Sequence, residues 1–200
     1  MYKRIINRLL KRYQIKNIST QEKSVYLTFD DGPEEGITEF VIDELDKHGF
    51  KATFFCRGDN AEKNPGLMSM LREKGYSIGN HTYGHLHAYN VNTQNYLADV
   101  EKADRILHTN IFRPPHACLT LQTWLRLRNR FSIVYWSLNS GDSDMSHYDY
   151  HHSINKLKSG TNKGDIVLFH FCHKHEMETR QLLPEYLQWL AEQGFTSKGL

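Results

Sequence analysis

Short apolar runs and amphipathic stretches alternate along most of this chain. Val25-Tyr26-Leu27-Thr28-Phe29 reads as a strand, and Gly32-Pro33 stops it. Phe40, Val41 and Leu45 recur at helical spacing before Gly49; Ala52-Thr53-Phe54-Phe55-Cys56 reads as a buried strand; Leu67, Met68 and Leu71 mark a second helix ended by Gly75. Ser77-Ile78-Gly79 is a brief strand, Tyr96, Leu97, Val100, Ala103 and Leu107 follow the helical period, and Ile111-Phe112 precedes a fourth helix carrying Trp124 and Leu125. A strand over Ser132–Leu138, a helix through Ile154 and Leu157, and a strand over Ile166–Phe169 continue the rhythm. A last helix over Leu182–Leu190 tolerates Pro184 only near its first turn. Strands alternating with helices predict an α/β fold of parallel βα units. A chain of 200 residues accommodates about seven of them, a distorted, incomplete (β/α) barrel rather than a full eightfold one.

The unusual polar residues fall directly after the strands: Asp30-Asp31, Asn80-His81-Thr82-Tyr83-Gly84-His85, Arg113-Pro114-Pro115-His116, Asp142 and His170. In a parallel barrel all strand C-termini open on one face, so these clusters are expected to converge there. Of two adjacent carboxylates at a strand tip, one can hold a cation while the other stays free for proton transfer, although Asp-Asp-Gly-Pro alone reads equally well as a solvated turn. His81 and His85 lie side by side if their segment makes one helical turn. One carboxylate with two imidazoles is a common catalytic zinc set that leaves a position open. His87, His108, His147, His151, His152, His173 and His175 match no ligand position and are expected on the polar surface, with Trp124 and Trp136 in the core. Cys118 and Cys172 both follow site motifs, which makes them a candidate thiol pair.

Composition narrows the class. With 39% apolar and 24% charged residues and a net charge of +2, the chain has the balance of one soluble domain and no general case for nucleic acid. Three widely spaced cysteines form no CxxC pair, and neither an apolar span nor a leader-like start is visible, so reduced thiols and a cytoplasmic location are expected. Charge is uneven: Lys3, Arg4, Arg8, Lys11, Arg12, Lys16 and Lys23 face Glu22 alone. Residues 1–24 are therefore separated as a basic N-terminal segment from a domain over residues 25–200. Ile5, Ile6, Leu9 and Leu10 predict a short helix docked on the domain, with peripheral contact to anionic lipid through residues 1–13 as the alternative.

Thr28-Phe29-Asp30-Asp31-Gly32-Pro33, Ala52-Thr53-Phe54-Phe55, Gly79-Asn80-His81-Thr82-Tyr83-Gly84-His85, Phe112-Arg113-Pro114-Pro115 and Val167-Leu168-Phe169-His170 resemble, in order and spacing, the polysaccharide deacetylases of NodB-homology type, carbohydrate esterase family 4. The resemblance runs over about Val25 to Phe195. It implies a metal-dependent hydrolase that removes the N-acetyl group of an amino sugar or glycan, with O-acetyl ester cleavage or a sugar-binding pseudoenzyme as alternatives. It implies Asp31, His81 and His85 as ligands of a divalent metal, Zn²⁺ first and Co²⁺ or Ni²⁺ after it. Asp30 would be the base that accepts a proton from the activated water, Arg113 would position Asp30, and the backbone N–H of His116 would serve the oxyanion. His170 would be the acid, oriented by Asp142, with Asp144 as the alternative partner. The implied partner is an N-acetylated sugar, lipid-linked if the basic segment reaches a membrane; no protein partner is implied. Three positions depart from the family pattern: His116-Ala117 where Tyr-Gly is usual, Asn139-Ser140-Gly141-Asp142-Ser143 where Asp-x-x-Asp-Trp is frequent, and Phe171 where Asp often follows the histidine.

Overall fold

The computed structural model describes residues 15–144 and 146–200. Eight strands and seven α-helices follow in the order β1 (Ser24–Asp30), α1 (Ile37–Lys47), β2 (Ala52–Cys56), α2 (Gly58–Lys63), α3 (Pro65–Glu73), β3 (Ser77–Asn80), α4 (Thr93–Leu107), β4 (Ile111–Phe112), α5 (Leu121–Leu127), β5 (Ser132–Ile133), β6 (Leu138–Asn139), α6 (Tyr150–Gly160), β7 (Ile166–His170), α7 (Glu176–Glu192) and β8 (Thr196–Ser197) among the described residues. The strands pair in parallel in the order β5-β4-β3-β2-β1-β7-β6, with β8 beside the start of β1. The expected βα alternation and incomplete barrel are therefore present. α2 and β8 were not legible in the periodicity, being too short to show one. No helix among the described residues is long and apolar enough to cross a membrane.

One expected strand is two. Ser132–Leu138 splits into β5 and β6, which lie at opposite edges of the sheet. A flat sheet of this many strands would hold its edges roughly 29 Å apart, whereas the chain from Ile133 to Leu138 reaches at most about 18 Å. The sheet has to curl until its edges nearly meet. Residues 134–137 bridge the gap: Val134 N–H donates to Phe112 O at one edge (2.8 Å) and Ser137 N–H to Ile166 O at the other (3.0 Å).

The pleat of β1 sorts its side chains by period two. Val25, Leu27 and Phe29 face the helices in the main core, where Phe29 stacks on Phe54 and Phe169 at 5.2 and 5.8 Å. Thr28 and Asp30 face the barrel interior, toward Phe55, Trp136 and the fully buried Arg113.

α7 also differs from expectation. It begins at Glu176, so Pro184 sits in the helix interior rather than near its first turn. The hydrogen bond its missing N–H forgoes is outweighed by the burial of Leu182, Leu183, Tyr186, Leu187 and Leu190 on the same helix. The N-terminal helix expected over residues 1–24, and the membrane contact through residues 1–13, fall mainly outside the described residues. In the described part, Ile15 and Asn17 instead make single β-bridges to Val134 and Asp165.

Candidate active site

The register of the sheet sets the site. Asp30 at the end of β1 is paired with His170 at the end of β7 on one side and with Phe55 on the other, while Asn80 at the end of β3 is paired with Cys56 and Phe112. The expected convergence at the strand C-termini follows from this alignment.

Asp30 is held from below. Arg113 Nη1 donates to Asp30 Oδ1 at 2.7 Å and to Thr28 Oγ1 at 2.8 Å, and Arg113 Nη2 donates to Tyr135 O at 2.8 Å. Its guanidinium lies 4.1 Å over the Phe55 ring. Burial pulls the Arg113 pKa down and the Asp30 carboxylate opposes it. Tyr135 belongs to the bridging segment, so the residues that close the barrel also turn a carbonyl toward the arginine. Asp30 Oδ2 is left facing the histidines, 3.9 Å from His81 Nε2.

Asp31 follows with a left-handed backbone, φ 82°, which swings its carboxylate to the same side. Gly32 is required next because a Cβ there would lie 2.5 Å from the Phe171 ring. His81 and His85 reach Asp31 without the expected helical turn. Residues 81–85 form an irregular loop with positive φ at Thr82 and His85, held by Asn80 Oδ1 accepting from Thr82 N–H and by the Asp99 carboxylate accepting from the N–H groups of Tyr83 and Gly84. Asn and Asp side chains replace the backbone bonds that a helix would have supplied.

The donor set fits a cation. Asp31 Oδ1 is buried without a hydrogen-bond partner, yet His85 Nε2 and His81 Nε2 lie 3.1 and 3.4 Å from it. His81 Nδ1 donates to Arg113 O at 2.7 Å, since a carbonyl can only accept, and the Nε2 of a neutral ring is then an unprotonated lone pair aimed at a carboxylate oxygen. Lone pairs directed at one another call for a positive charge between them, and one carboxylate with two imidazoles suits a divalent metal. Burial raises the Asp31 pKa, but hydrogen bonds and charge from the two imidazoles, as they would act with both rings protonated, outweigh it and hold the carboxyl well below the usual carboxylate range. Asp31, His81 and His85 therefore could hold the metal.

Across the cleft, His170 Nδ1 donates to Asp142 Oδ1 at 2.8 Å, and His170 N–H and Thr179 Oγ1 donate to Asp142 Oδ2 at 2.7 and 3.1 Å. Nδ1 thus carries the proton and Nε2 is free to exchange one. Burial lowers the His170 pKa, but the Asp142 charge and hydrogen bond outweigh it and push it up to about 9. Asp144, the alternative partner, is exposed and pairs with His147 instead.

A cleft of about 320 Å³ unites Asp30, Asp31, His81, His85, His116 and His170. Its lining includes residues that the sequence reading placed elsewhere. Trp136 was expected in the core but lines the cleft, along with Asn139, Ser143 and Lys174. His175, expected on the surface, is 3% exposed and packs 4.9 Å from the His170 ring. His87 packs on His116 and meets Cys118 Sγ at 3.5 Å. Cys118 and Cys172 are not a thiol pair; both are free and buried. A usable signal existed for His175, since Cys172, His173 and His175 crowd directly behind His170.

The sequence pattern of polysaccharide deacetylases matches residues 17–129, more than half of the chain. The chain belongs to the polysaccharide deacetylase family. It is 38% identical over 125 residues to a peptidoglycan-N-acetylglucosamine deacetylase of Bacillus cereus, covering 59% of this chain and 46% of that protein. It is 28% identical over 189 residues to another B. cereus protein of the same description, covering 92% and 89%. This chain therefore spans about half the length of the first relative. The crystal structure of the Bc1960 peptidoglycan N-acetylglucosamine deacetylase, in complex with 4-naphthalen-1-yl-N-oxidanyl-benzamide, superposes with a TM-score of 0.84 at 27% identity, over 96% of this chain and 92% of that one.

Departures from the family pattern have structural readings. Phe171 points away from the cleft into the core, 5.0 Å from Phe54. Asn139 closes a local turn by accepting from Gly141 N–H at 2.8 Å. His116 stands over His85 at 4.6 Å, and burial, then the charges of His85 and His87, lower its pKa.

Proposed function

We propose that this chain is a metal-dependent hydrolase that removes the N-acetyl group from an amino sugar of a glycan. The observation that carries the reading is the orphaned Asp31 Oδ1 between two imidazoles, flanked by the arginine-clamped Asp30 and by the Asp142–His170 pair. The relatives described as peptidoglycan-N-acetylglucosamine deacetylases support N-acetylglucosamine in peptidoglycan as the substrate.

Asp31, His81 and His85 would hold the divalent metal, with Zn²⁺ favoured by the mixed imidazole and carboxylate donors. What such an ion supplies when bound is polarisation of the acetyl carbonyl and a lowered pKa for water. Asp30 accepts the proton of the attacking water at Oδ2, because Arg113 occupies Oδ1 and fixes the carboxylate's orientation. The backbone N–H of His116 donates to the oxyanion. His170, charged at neutral pH through Asp142, gives its Nε2 proton to the departing amine. Arg113 and Asp142 act through Asp30 and His170 rather than on the sugar.

The test is acetate release from N-acetylated monosaccharides, oligosaccharides, peptidoglycan fragments and lipid-linked N-acetyl sugars, and from O-acetyl esters, with Zn²⁺, Co²⁺, Ni²⁺ or no metal. Metal-dependent release from the N-acetyl glycans is expected. Release from esters alone would replace the reading with an esterase. Binding of the glycan without any release would make the chain a sugar-binding module.

A further inference from the structure

Close to Asp31 stand two side chains that the proposed mechanism does not use. Cys172 and His175 each bring a ligand atom within 4.8 Å of the other's and of an Asp31 carboxylate oxygen. Both are buried, at 5% and 3% exposure, and His175 Nδ1 has no hydrogen-bond partner. A buried imidazole nitrogen left unbonded is unfavourable unless something occupies it, and His175 opens onto the cleft. The loop is held in place: His173 N–H donates to Glu34 Oε2 at 2.5 Å and His173 Nε2 to Glu35 O at 2.8 Å, while Asn60 bonds both Glu34 Oε1 and Asp31 O. The segment carrying Cys172 and His175 is thus tied to the segment carrying Asp31.

We infer that Asp31, Cys172 and His175 form a second metal position, sharing the Asp31 carboxylate with the first and taking a thiophilic divalent ion such as Zn²⁺ or Co²⁺. A thiolate, an imidazole and a carboxylate are suitable donors for such an ion. Binding releases the Cys172 thiol proton to solvent as the sulfur–metal bond forms. An ion there draws on the carboxylate of the first position and lies beside the ring that packs on His170, so excess metal inhibits turnover. The position goes beyond the proposed function and does not require His81 or His85.

Cobalt alone is the probe. The metal-stripped chain is titrated with Co²⁺, metal per chain is measured after desalting, and the near-ultraviolet thiolate-to-cobalt charge-transfer band is followed. Two equivalents are expected, the band rising with one of them. Cys172→Ser and His175→Ala should each keep one equivalent and lose the band, and Cys172→Ser should relieve inhibition by excess metal. His81→Ala should keep the band while losing the other equivalent, which separates the two positions. A band absent at every stoichiometry, or undiminished in Cys172→Ser, overturns the second position, whatever the first does. Loss of the band in His81→Ala likewise overturns it as a separate position, whereas loss of the other equivalent alone leaves it standing and tests the catalytic reading by itself.

Discussion

Two neighbouring carboxylates with opposite surroundings make the sharpest contrast in the molecule. Asp30 is bonded to a buried arginine at one oxygen, and Asp31 faces two imidazoles from an oxygen with no hydrogen bond. Asp31→Ala should abolish retention of metal at the His81–His85 position after desalting. Asp30→Asn should keep the metal and lower turnover by about 10²- to 10⁴-fold, the usual contribution of a positioned base; equal metal loss in both variants would mean the roles are misassigned. His170 supplies a pH signature. Its pKa is raised above the ordinary histidine value, chiefly by the Asp142 charge acting against burial, so the acid form persists through neutral pH and is lost as pH rises through about 9. Removing the charge in Asp142→Asn lowers that pKa, so the alkaline limb of kcat should move to lower pH. A limb that stays in place would show that another group sets it. A bound cation would itself depress the His170 pKa, so the comparison belongs between variants carrying the same metal.

At the scale of elements, the site depends on loops stiffened by side chains more than on helices. The His81–His85 segment has no regular structure; Asn80 and Asp99 stand in for it, and Asp99 reaches across from α4. Asp99→Ala should leave the fold intact and weaken metal retention by about 10- to 100-fold, in line with losses seen when groups supporting metal ligands are removed. Competition with a chromophoric chelator measures it, and unchanged affinity would mean the loop is held by its own sterics. The sequence spacing of His81 and His85 is informative about partnership, although the one helical turn that would place them side by side is not formed. Two left-handed residues, Thr82 and His85, bring the rings 5.1 Å apart by another route. The amphipathic helices were read well because each packs one apolar face on the sheet, and that face repeats at the helical period. α2 offered only six residues, too few for a period to show.

For the whole molecule, the segment 134–137 matters out of proportion to its length. It joins the two edges of the sheet, and it supplies carbonyls to Arg113, which in turn binds β1 through Thr28 and Asp30. Arg113→Met leaves Asp30 as a buried charge without its partner and should cost about 3–5 kcal/mol in urea denaturation. Adding Asp30→Asn should recover part of that loss by removing the stranded charge. If the double variant is as unstable as the sum of the singles, the two residues are not energetically coupled.

Local order in the chain was enough to establish the alternation of strands and helices, the βα class and the clusters at the strand ends, because near-neighbour sterics and side-chain period are written into adjacent residues. It also singled out Asp30, Asp31, His81, His85, Arg113 and His170 as candidates, since their order and spacing resemble a known family. What lay beyond it depended on contacts between distant segments. Whether Ser132–Leu138 is one strand or two is decided by how far the sheet edges must be joined, and whether Phe171 faces cleft or core by the space left beside Gly32 and Phe54. Pro184 within α7 is carried by burial that no local propensity reports. The placement of His175 beside Asp31 and Cys172 is of the same kind: composition marks these residues as able to bind a metal, and only the folded loop makes them neighbours.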